Sequence, residues 1–174
     1  MNEAMKNLLT RRSVRKYKAE QITDEELHAV LEAGTYAPTA RGTQSPLIVA
    51  VQNAEDIAAM SRMNAAVWGR ENFDPFFGAP TVIVVFAEAG NINGVQDASL
   101  VMGNLLNAAH AIGLGSCWIN RARETFEMPE GKALLNKWGI EGDWVGVGNC
   151  ILGYADGPEP KPAARRADYY RIIK

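Results

Sequence analysis

The sequence predicts a single mixed α+β domain in which helices cover a central β-sheet. Helix signals and strand signals alternate along its 174 residues, as they do in a layered sandwich. A chain of this length forms one compact domain and is too short for two domains of full size. Hydrophobic residues make up 47% of the chain and charged residues 22%, which is typical of a folded globular protein and excludes a disordered one.

Four helices are predicted from capping residues and from apolar side chains that recur every three or four positions. They cover approximately residues 24–34, 55–67, 95–112 and 129–138. Thr23 and Glu26 have the spacing of a capping box at the start of the first helix, and Gly34 is expected to end it. The third helix is apolar on most of its sides and is expected to end at Gly113 and Gly115. We therefore expect this helix to be deeply buried and to pack against a second copy of itself.

Four apolar segments predict the strands of the sheet. They cover residues 47–51, 81–86, 116–119 and 145–154. The second is β-branched and apolar throughout, which is typical of a central strand. The proline-rich segment after the last strand predicts an extended linker. The tail that follows carries Tyr169, Tyr170, Ile172 and Ile173. It is too apolar to remain free in water, so we expect it to dock on another surface.

The composition and net charge of the chain disfavour several classes of function. The formal net charge is −2, which disfavours a protein that coats nucleic acid or an anionic membrane. Two cysteines are too few for a disulfide scaffold or a four-cysteine zinc site, and no cluster has metal-ligand spacing. No apolar run approaches the length of a membrane span, and the first residues do not resemble a secretory leader. We expect a cytoplasmic location.

Positive charge is concentrated near the two ends of this acidic chain. Residues 11–18 and 161–174 together hold 10 of the 18 lysines and arginines. Arg11, Arg12, Ser13 and Arg15 combine guanidinium groups with a hydroxyl, the donors that a phosphate prefers. In an extended segment, positions 11, 13 and 15 point the same way. A solvated basic surface is the alternative, whereas two clusters that converge in space would form an anion site.

Two further segments have compositions suited to a planar ligand. In residues 37–46, Pro38 restrains the backbone, Gly42 permits a close approach, and Thr39 and Gln44 supply polar groups. In residues 113–120, small residues precede Trp118. The alternative for the first segment is a plain helix-to-strand connection, and for the second it is a helix end followed by a core strand, which is the preferred interpretation of Gly113. Cys117 has no catalytic partner in the sequence, and the glycine motifs of dinucleotide and mononucleotide sites are absent.

Taken in order, these motifs resemble those of the FMN-dependent nitroreductases. The ordered set is RRSVRKY, ITDEEL, APTARGTQSP before LIVAV, GAPTVIVV, AIGLGSCWI and ILGYADGPEPKP followed by two arginines. The set covers nearly the whole chain. The resemblance implies one flavin-binding domain over residues 1–174, built as an α-β-α sandwich around a mostly antiparallel sheet. It also implies a homodimer with the flavin at the subunit interface, and residues 155–174 as an extension that docks on the partner subunit.

The resemblance also assigns candidate FMN-binding residues. Those for the phosphate and ribityl chain are Arg11, Arg12, Ser13 and Arg15, the last also reaching the flavin ring. Those for the ring, contributed by the partner subunit, are Pro38, Thr39, Ala40, Gly42 and Gln44. Those beside the ring after the long helix are Gly115, Cys117 and Trp118. Arg165 is preferred to Arg166 and Lys161 as the basic residue that closes on the phosphate. No side chain is assigned a catalytic role, and no metal is expected.

Two departures from the family pattern bear on specificity. The usual asparagine of the loop is Gly42 here, and the usual Gln-Pro-Trp is Gln44-Ser45-Pro46. The first removes an amide side chain and the second removes an aromatic ring. We expect FMN binding to survive both changes, whereas substrate preference need not follow that of relatives.

The function implied by the resemblance is an FMN-dependent NAD(P)H oxidoreductase with a ping-pong mechanism. NAD(P)H would reduce the flavin and leave, and a nitroaromatic, quinone or free flavin would then take the electrons at the same face. The alternative from another class is a flavin-binding sensor or storage protein without efficient turnover. A cofactor-fragmenting or dehalogenating enzyme on the same scaffold is a third interpretation. Neither nucleic acid nor membrane is an expected partner.

Overall fold

A computed structural model describes all 174 residues and contains a four-stranded sheet with helices on both faces. The elements are α1 (Glu3–Thr10), α2 (Asp24–Thr35), β1 (Leu47–Val51), α3 (Ala54–Val67), β2 (Thr81–Glu88), α4 (Gly94–Ala111), β3 (Gly115–Ile119), α5 (Ala122–Glu127), α6 (Pro129–Lys137) and β4 (Trp144–Gly153). The predicted α+β sandwich is therefore confirmed. α1 and α5 are short and were not predicted.

The strands lie in the order β1-β2-β4-β3, and every neighbouring pair is antiparallel. In register, Val49 faces Val84 across the first pair and Cys117 faces Ile151 across the last. The long strands β2 and β4 are the two inner ones. β2 is buried along nearly its whole length, because helices cover both of its faces. The predicted antiparallel sheet is confirmed in all of its pairings.

Alternate residues of β2 contribute to two separate hydrophobic cores. Val82 and Val84 point toward α3, α5 and α6, where Phe126 and Met60 complete the packing. Ile83 and Val85, on the opposite face, pack with residues of α2 and α4. This two-sided burial explains why β2 is a continuous apolar run rather than an alternating one.

The start of α2 agrees with its prediction, and its end does not. Thr23 accepts a hydrogen bond from the Glu26 amide while the Glu26 side chain accepts one from the Thr23 amide, as in a capping box. The prediction that Gly34 ends the helix is wrong, because α2 continues to Thr35. A Cβ at Gly34 would lie 2.8 Å from Cδ2 of Leu105 and 3.0 Å from Cδ1 of Ile48. Gly34 therefore serves close packing of α2 against α4.

The long apolar helix α4 ends where Gly113 was expected to end it. Gly113 has a φ of +85° and donates its amide to the His110 carbonyl, the usual form of a glycine helix end. Gly115 has a different role, as the first residue of β3. α4 buries one side in the core but leaves Val95 and Leu100 about half exposed at 51% and 49%, a face on which the expected second copy would pack.

The residues after β4 form neither helix nor strand. The apolar side chains of the tail, from Tyr169 to Ile173, are 71–91% exposed. Such exposure is costly for so many apolar groups, and the prediction that the tail docks on a partner subunit stays a prediction. None of the helices is both long enough and apolar enough to span a membrane.

Candidate functional site

The basic segment at residues 11–18 is fixed to the sheet by backbone hydrogen bonds. The Val14 amide donates to the Ser116 carbonyl at 3.0 Å, and the Lys18 amide donates to the Tyr154 carbonyl at 2.9 Å. Tyr17 is buried, its hydroxyl donates to the Val14 carbonyl at 2.8 Å, and burial raises its pKa above the ordinary value. The segment therefore bridges the first residues of β3 and the end of β4 as an added length of extended chain.

A cavity of about 480 Å³ lies beside this segment, a volume within the range of small-molecule sites. Its walls come from three parts of the chain: the basic segment, the turn between α4 and β3, and the residues after β4. The lining residues are Arg12, Val14, Arg15, Lys16, His110, Gly113, Leu114, Gly115 and residues 155–160. The two ends of the chain thus meet here as far as residue 160. Arg165 is not among the lining residues.

Two guanidinium groups of the basic segment hold buried N–H donors that have no acceptor in the protein, and of the two residues only Arg12 lines the cavity; Arg11 and Ser13 do not. Nη1 of Arg11 and Nε of Arg12 are both buried and unpartnered. Nη1 of Arg12 is satisfied, because it donates to the carbonyls of Leu9 and Arg11 at 2.9 and 2.7 Å. Buried donors normally have partners, and a charged donor prefers an anionic one. The residues present therefore fit a ligand that brings phosphate oxygens to this place.

Charge in the cavity is divided between its walls. Arg12, Arg15 and Lys16 come from the basic segment, and Asp156 and Glu159 come from the segment after β4. Nζ of Lys16 lies 2.8 Å from the Asp156 carboxylate, and its hydrogen bond holds the Asp156 pKa below the ordinary value. The paired carboxylate is thus ionised at neutral pH and is unsuited to act as a general acid.

Lys16, His110 and Asp156 line the cavity although sequence reasoning assigned them no role. His110 lies at the end of α4, and its Nε2 is 2.9 Å from the Thr10 hydroxyl on α1. That hydroxyl donates to the Lys6 carbonyl at 2.8 Å. One sequence signal could have located His110: it precedes the helix-ending Gly113 by three residues. That spacing places His110 near the turn that lines the cavity.

The alternation of β3 puts Gly115 and Cys117 on one face of the sheet and Trp118 on the other. Gly115 lines the cavity and packs against Val14, since a Cβ there would lie 3.0–3.1 Å from three Val14 side-chain atoms. Cys117 points into the core with α3, α5 and α6 and is 1% exposed. Trp118 is 36% exposed and covers Gly148 on the opposite face of the sheet. Neither Cys117 nor Trp118 lines the cavity.

The loop at residues 38–46 lies apart from this cavity within one chain, since none of its residues lines it. Thr39 accepts a hydrogen bond from the Gln44 amide at 3.0 Å, and the Ala40 amide donates to Asp97. Gly42 has a φ of +67°, a conformation that glycine and asparagine tolerate best. The substitution of glycine for the family's asparagine therefore suits the backbone shape of the loop.

The protein is thus an antiparallel α+β sandwich with a small-molecule-sized cavity beside its sheet, one wall of which is basic. The chain belongs to the nitroreductase family, whose sequence profile matches residues 8–154. The family membership predicted from the ordered motifs is thereby confirmed.

Three similar proteins illustrate this membership. A protein of Archaeoglobus fulgidus, named as a candidate NADH dehydrogenase/NAD(P)H nitroreductase, is 33% identical over 88% of this chain and 86% of its own length. The NADPH-flavin oxidoreductase of Vibrio harveyi is 30% identical over 93% of this chain and 70% of its own. A nitroreductase of Bacteroides fragilis, crystallised with bound FMN, is 28% identical with a TM-score of 0.91 over the whole of both chains.

Proposed function

We propose that this protein is an FMN-dependent NAD(P)H oxidoreductase that reduces electron-poor acceptors such as nitroaromatics, quinones or flavins. The observation that carries the proposal is the pair of unpartnered, buried guanidinium donors of Arg11 and Arg12 in the basic segment, which forms one wall of the cavity through Arg12, Val14, Arg15 and Lys16. The relatives support it, because one is named an NADPH-flavin oxidoreductase and another was crystallised with FMN.

The basic segment holds the phosphate end of the cofactor. Arg11 and Arg12 donate to the phosphate oxygens, and Ser13 adds a neutral hydroxyl donor. The segment is already bonded to β3 and β4, so little conformational freedom is lost when the ligand binds. Arg15 lies further along the cavity wall, where its positive charge favours the reduced state of the cofactor.

Two copies of the chain complete the site. The loop at 38–46 lies away from the cavity of its own chain, so Pro38, Thr39, Ala40, Gly42 and Gln44 contact the flavin ring of the partner subunit. α1 and α4 supply the apolar surface for this association, with side chains 42–56% exposed at Met5, Leu8, Leu9, Leu100 and Ile112. Within the 155–174 extension, residues 155–160 line the cavity of their own chain, and the part beyond residue 160 docks on the partner and brings Arg165 to the phosphate.

The chemistry requires little from protein side chains beyond binding and charge. FMN, when bound, supplies the redox reaction by taking electrons from NAD(P)H and giving them to an acceptor. The two substrates occupy one open site in turn, which is the ping-pong order. The protein's two cysteines are buried; burial raises the Cys150 pKa to about 12, and Cys117 does not line the cavity, so neither thiol is placed to act as a nucleophile there.

The visible absorption spectrum of the purified protein tests this function. We expect a flavin spectrum that bleaches with NADH or NADPH under anaerobic conditions and recovers when a quinone or nitroaromatic is added. Arg15→Ala is expected to weaken FMN retention or slow the bleaching, while Lys132→Ala, on the exposed side of α6, serves as a matched control. A colourless protein that FMN does not reconstitute would overturn the proposal. A flavin unaffected by both nucleotides would favour the sensor or storage function instead.

A further inference from the structure

The loop at residues 38–46 is held in a conformation that its own residues do not favour. Arg41 and Gln44 have positive φ values of 58° and 51°, in addition to that of Gly42. Side chains other than glycine and asparagine rarely adopt this left-handed region, and each such residue must be stabilised by its surroundings. Hydrogen bonds within the loop, from the Gly42 and Gln44 amides to Thr39, hold part of this shape, and contacts from outside the loop add to them.

Asp97 makes the principal contact of this kind. Its two carboxylate oxygens lie 3.0 and 3.1 Å from the Ala40 amide nitrogen, which donates to them. Asp97 is only 5% exposed and lies in the first turn of α4, where the free backbone N–H groups of a helix favour a carboxylate. No lysine or arginine pairs with it in the structure.

Burial of the Asp97 carboxylate without a counter-ion costs free energy of folding. A buried carboxylate without a counter-ion loses hydration that a single amide donor only partly replaces. The buried Asp56 differs, because its oxygens accept from Nζ of Lys137 at 2.6 Å and from Nε1 of Trp138 at 2.9 Å. The charge of Asp97 is directed instead at one backbone amide of the loop, 57 residues away in the sequence.

A second contact ties the far end of the loop to the same region. Nδ2 of Asn91, in the turn between β2 and α4, donates to the Ser45 hydroxyl at 2.9 Å. Ser45 is one of the positions where the chain departs from its family, and the structure gives it this hydrogen bond. The strained residues 41–44 thus lie between two anchors, both provided by the start of α4 and the turn before it.

We propose that Asp97 is a positioning residue that sets the conformation of the flavin-contacting loop, with Asn91 as its second anchor. The inference rests on the proposed function, because the loop matters for catalysis only if it contacts FMN. Ala40 lies in the middle of that contact surface, and small displacements of positioning groups have large effects on binding and rate. Asp97 itself touches neither cofactor nor substrate.

The test compares the removal of two equally buried carboxylates. Asp97→Ala is expected to raise the FMN dissociation constant about 10- to 100-fold, the effect of losing one charge-assisted hydrogen bond, and to change the visible circular dichroism of the bound flavin. Asp97→Asn, which keeps an acceptor oxygen, should recover all but a few-fold of this loss. Asp56→Ala, 6% exposed in the wild type and remote from the loop, should lower thermal stability without changing FMN affinity or the spectrum.

Amide hydrogen exchange of Ala40 in the protein without FMN provides an independent readout. We expect slow exchange in the wild type, fast exchange in Asp97→Ala and intermediate exchange in Asp97→Asn. Asp97→Ala that binds FMN like the wild type, or Asp56→Ala that weakens FMN equally, would overturn the positioning role. A wild type that binds no FMN at all would overturn the proposed function itself and the positioning role with it.

Discussion

The two basic segments near the ends of the chain carry similar charge and are held very differently. Residues 11–18 are bonded to β3 and β4, and the ring of Tyr17 anchors them in the core. Residues 161–174 form no regular structure, are exposed throughout and contain a single ion pair, Arg166 with Asp168 at 3.6 Å. One segment is fixed to the sheet within a single chain, and the other makes no contact that fixes it to the fold.

This difference predicts unequal contributions to cofactor binding. Ordering a residue costs about 1–2 kcal/mol of backbone entropy. The tail loses this entropy when it docks, which weakens any binding that depends on docking. The basic segment loses it when the protein folds, before the cofactor binds. The tail can recover the cost only by burying Tyr169, Tyr170, Ile172 and Ile173, which are exposed in one chain. We therefore expect Arg11 and Arg12 to contribute more to FMN affinity than any residue of the tail.

The largest expected effect follows from removal of a buried donor in the basic segment at residues 11–18. Arg11→Ala should raise the FMN dissociation constant about 10- to 100-fold, since a hydrogen bond to a charged group contributes about 1.5–3 kcal/mol. Affinity for riboflavin, which lacks the phosphate, should stay within a few-fold of the wild type. Fluorescence titration with both ligands measures this. A parallel loss of riboflavin affinity would show that Arg11 supports the fold rather than the phosphate.

A second prediction tests whether the fixed position of the basic segment matters apart from its charge. In Gly115→Ala the added Cβ meets three atoms of Val14 at 3.0–3.1 Å, so the segment must shift. We expect a loss of about 1–3 kcal/mol in the free energy of unfolding, as for other overpacked sites, together with several-fold weaker FMN binding. Both are measurable by urea unfolding and FMN titration.

The double variant Val14→Ala/Gly115→Ala is the control for that experiment. Removing the Val14 methyl groups makes room for the new Cβ, so the two substitutions should be coupled and the double variant should bind FMN better than Gly115→Ala alone. Strict additivity would contradict the steric explanation. It would leave the contact between Val14 and Gly115 without a role in positioning the arginines.

The third prediction concerns the exposed segment at residues 161–174. Arg165→Ala should weaken FMN binding by a few-fold only, because much of any gain from closing on the phosphate is spent on ordering the tail. Arg166→Ala is the matched control, since its guanidinium is near Asp168 and 5.8 Å from the Tyr169 ring. FMN titration at two salt concentrations distinguishes them. A loss for Arg165→Ala that exceeds that of Arg11→Ala would reverse the ranking of the two segments.

Prediction from sequence succeeds where a signal is local and fails where it depends on tertiary contact. The capping box at Thr23 and the apolar run of β2 are local patterns, and both were predicted correctly. Gly34 has the composition of a helix end, yet its role is set by Leu105, 71 positions away, which no local pattern encodes. α1 and α5 were not predicted: both are short, and α1 buries no residue within its own chain although its apolar residues share one side.

The residues of the candidate site also fall into those that a local sequence pattern predicted and those that depend on tertiary contacts. Its arginines were found because basic residues clustered in sequence are conspicuous, and the family resemblance assigned them a ligand. Asp156 and His110 were missed because each has an ordinary local context and reaches the cavity only when the sheet brings the turn after α4 and the chain after β4 together. Asp97 was missed as well, because its partner is the backbone amide of Ala40, 57 residues away, and no local pattern indicates such a contact.

The smallest expected effect concerns the ion pair between Lys16 in the basic segment and Asp156 in the chain that follows β4. Lys16 holds the Asp156 pKa below its ordinary value of 3.8, so folding is favoured by the ionised carboxylate above that pH. The contribution is lost as pH falls through the lowered pKa of the folded state. Asp156→Asn should therefore be slightly less stable than the wild type at pH 7 in urea unfolding, and the difference should vanish in strong acid.

Glu159→Gln is the control for this link, because Glu159 lines the same cavity and has no ion pair. It should match the wild type at both pH values, since an exposed carboxylate without a partner contributes little. A stability difference for Asp156→Asn that persists in strong acid would show that the amide disturbs the backbone hydrogen bond from Asp156 to the Lys16 carbonyl. In that case the backbone alone joins residues 11–18 to the chain that follows β4, and the ion pair is incidental.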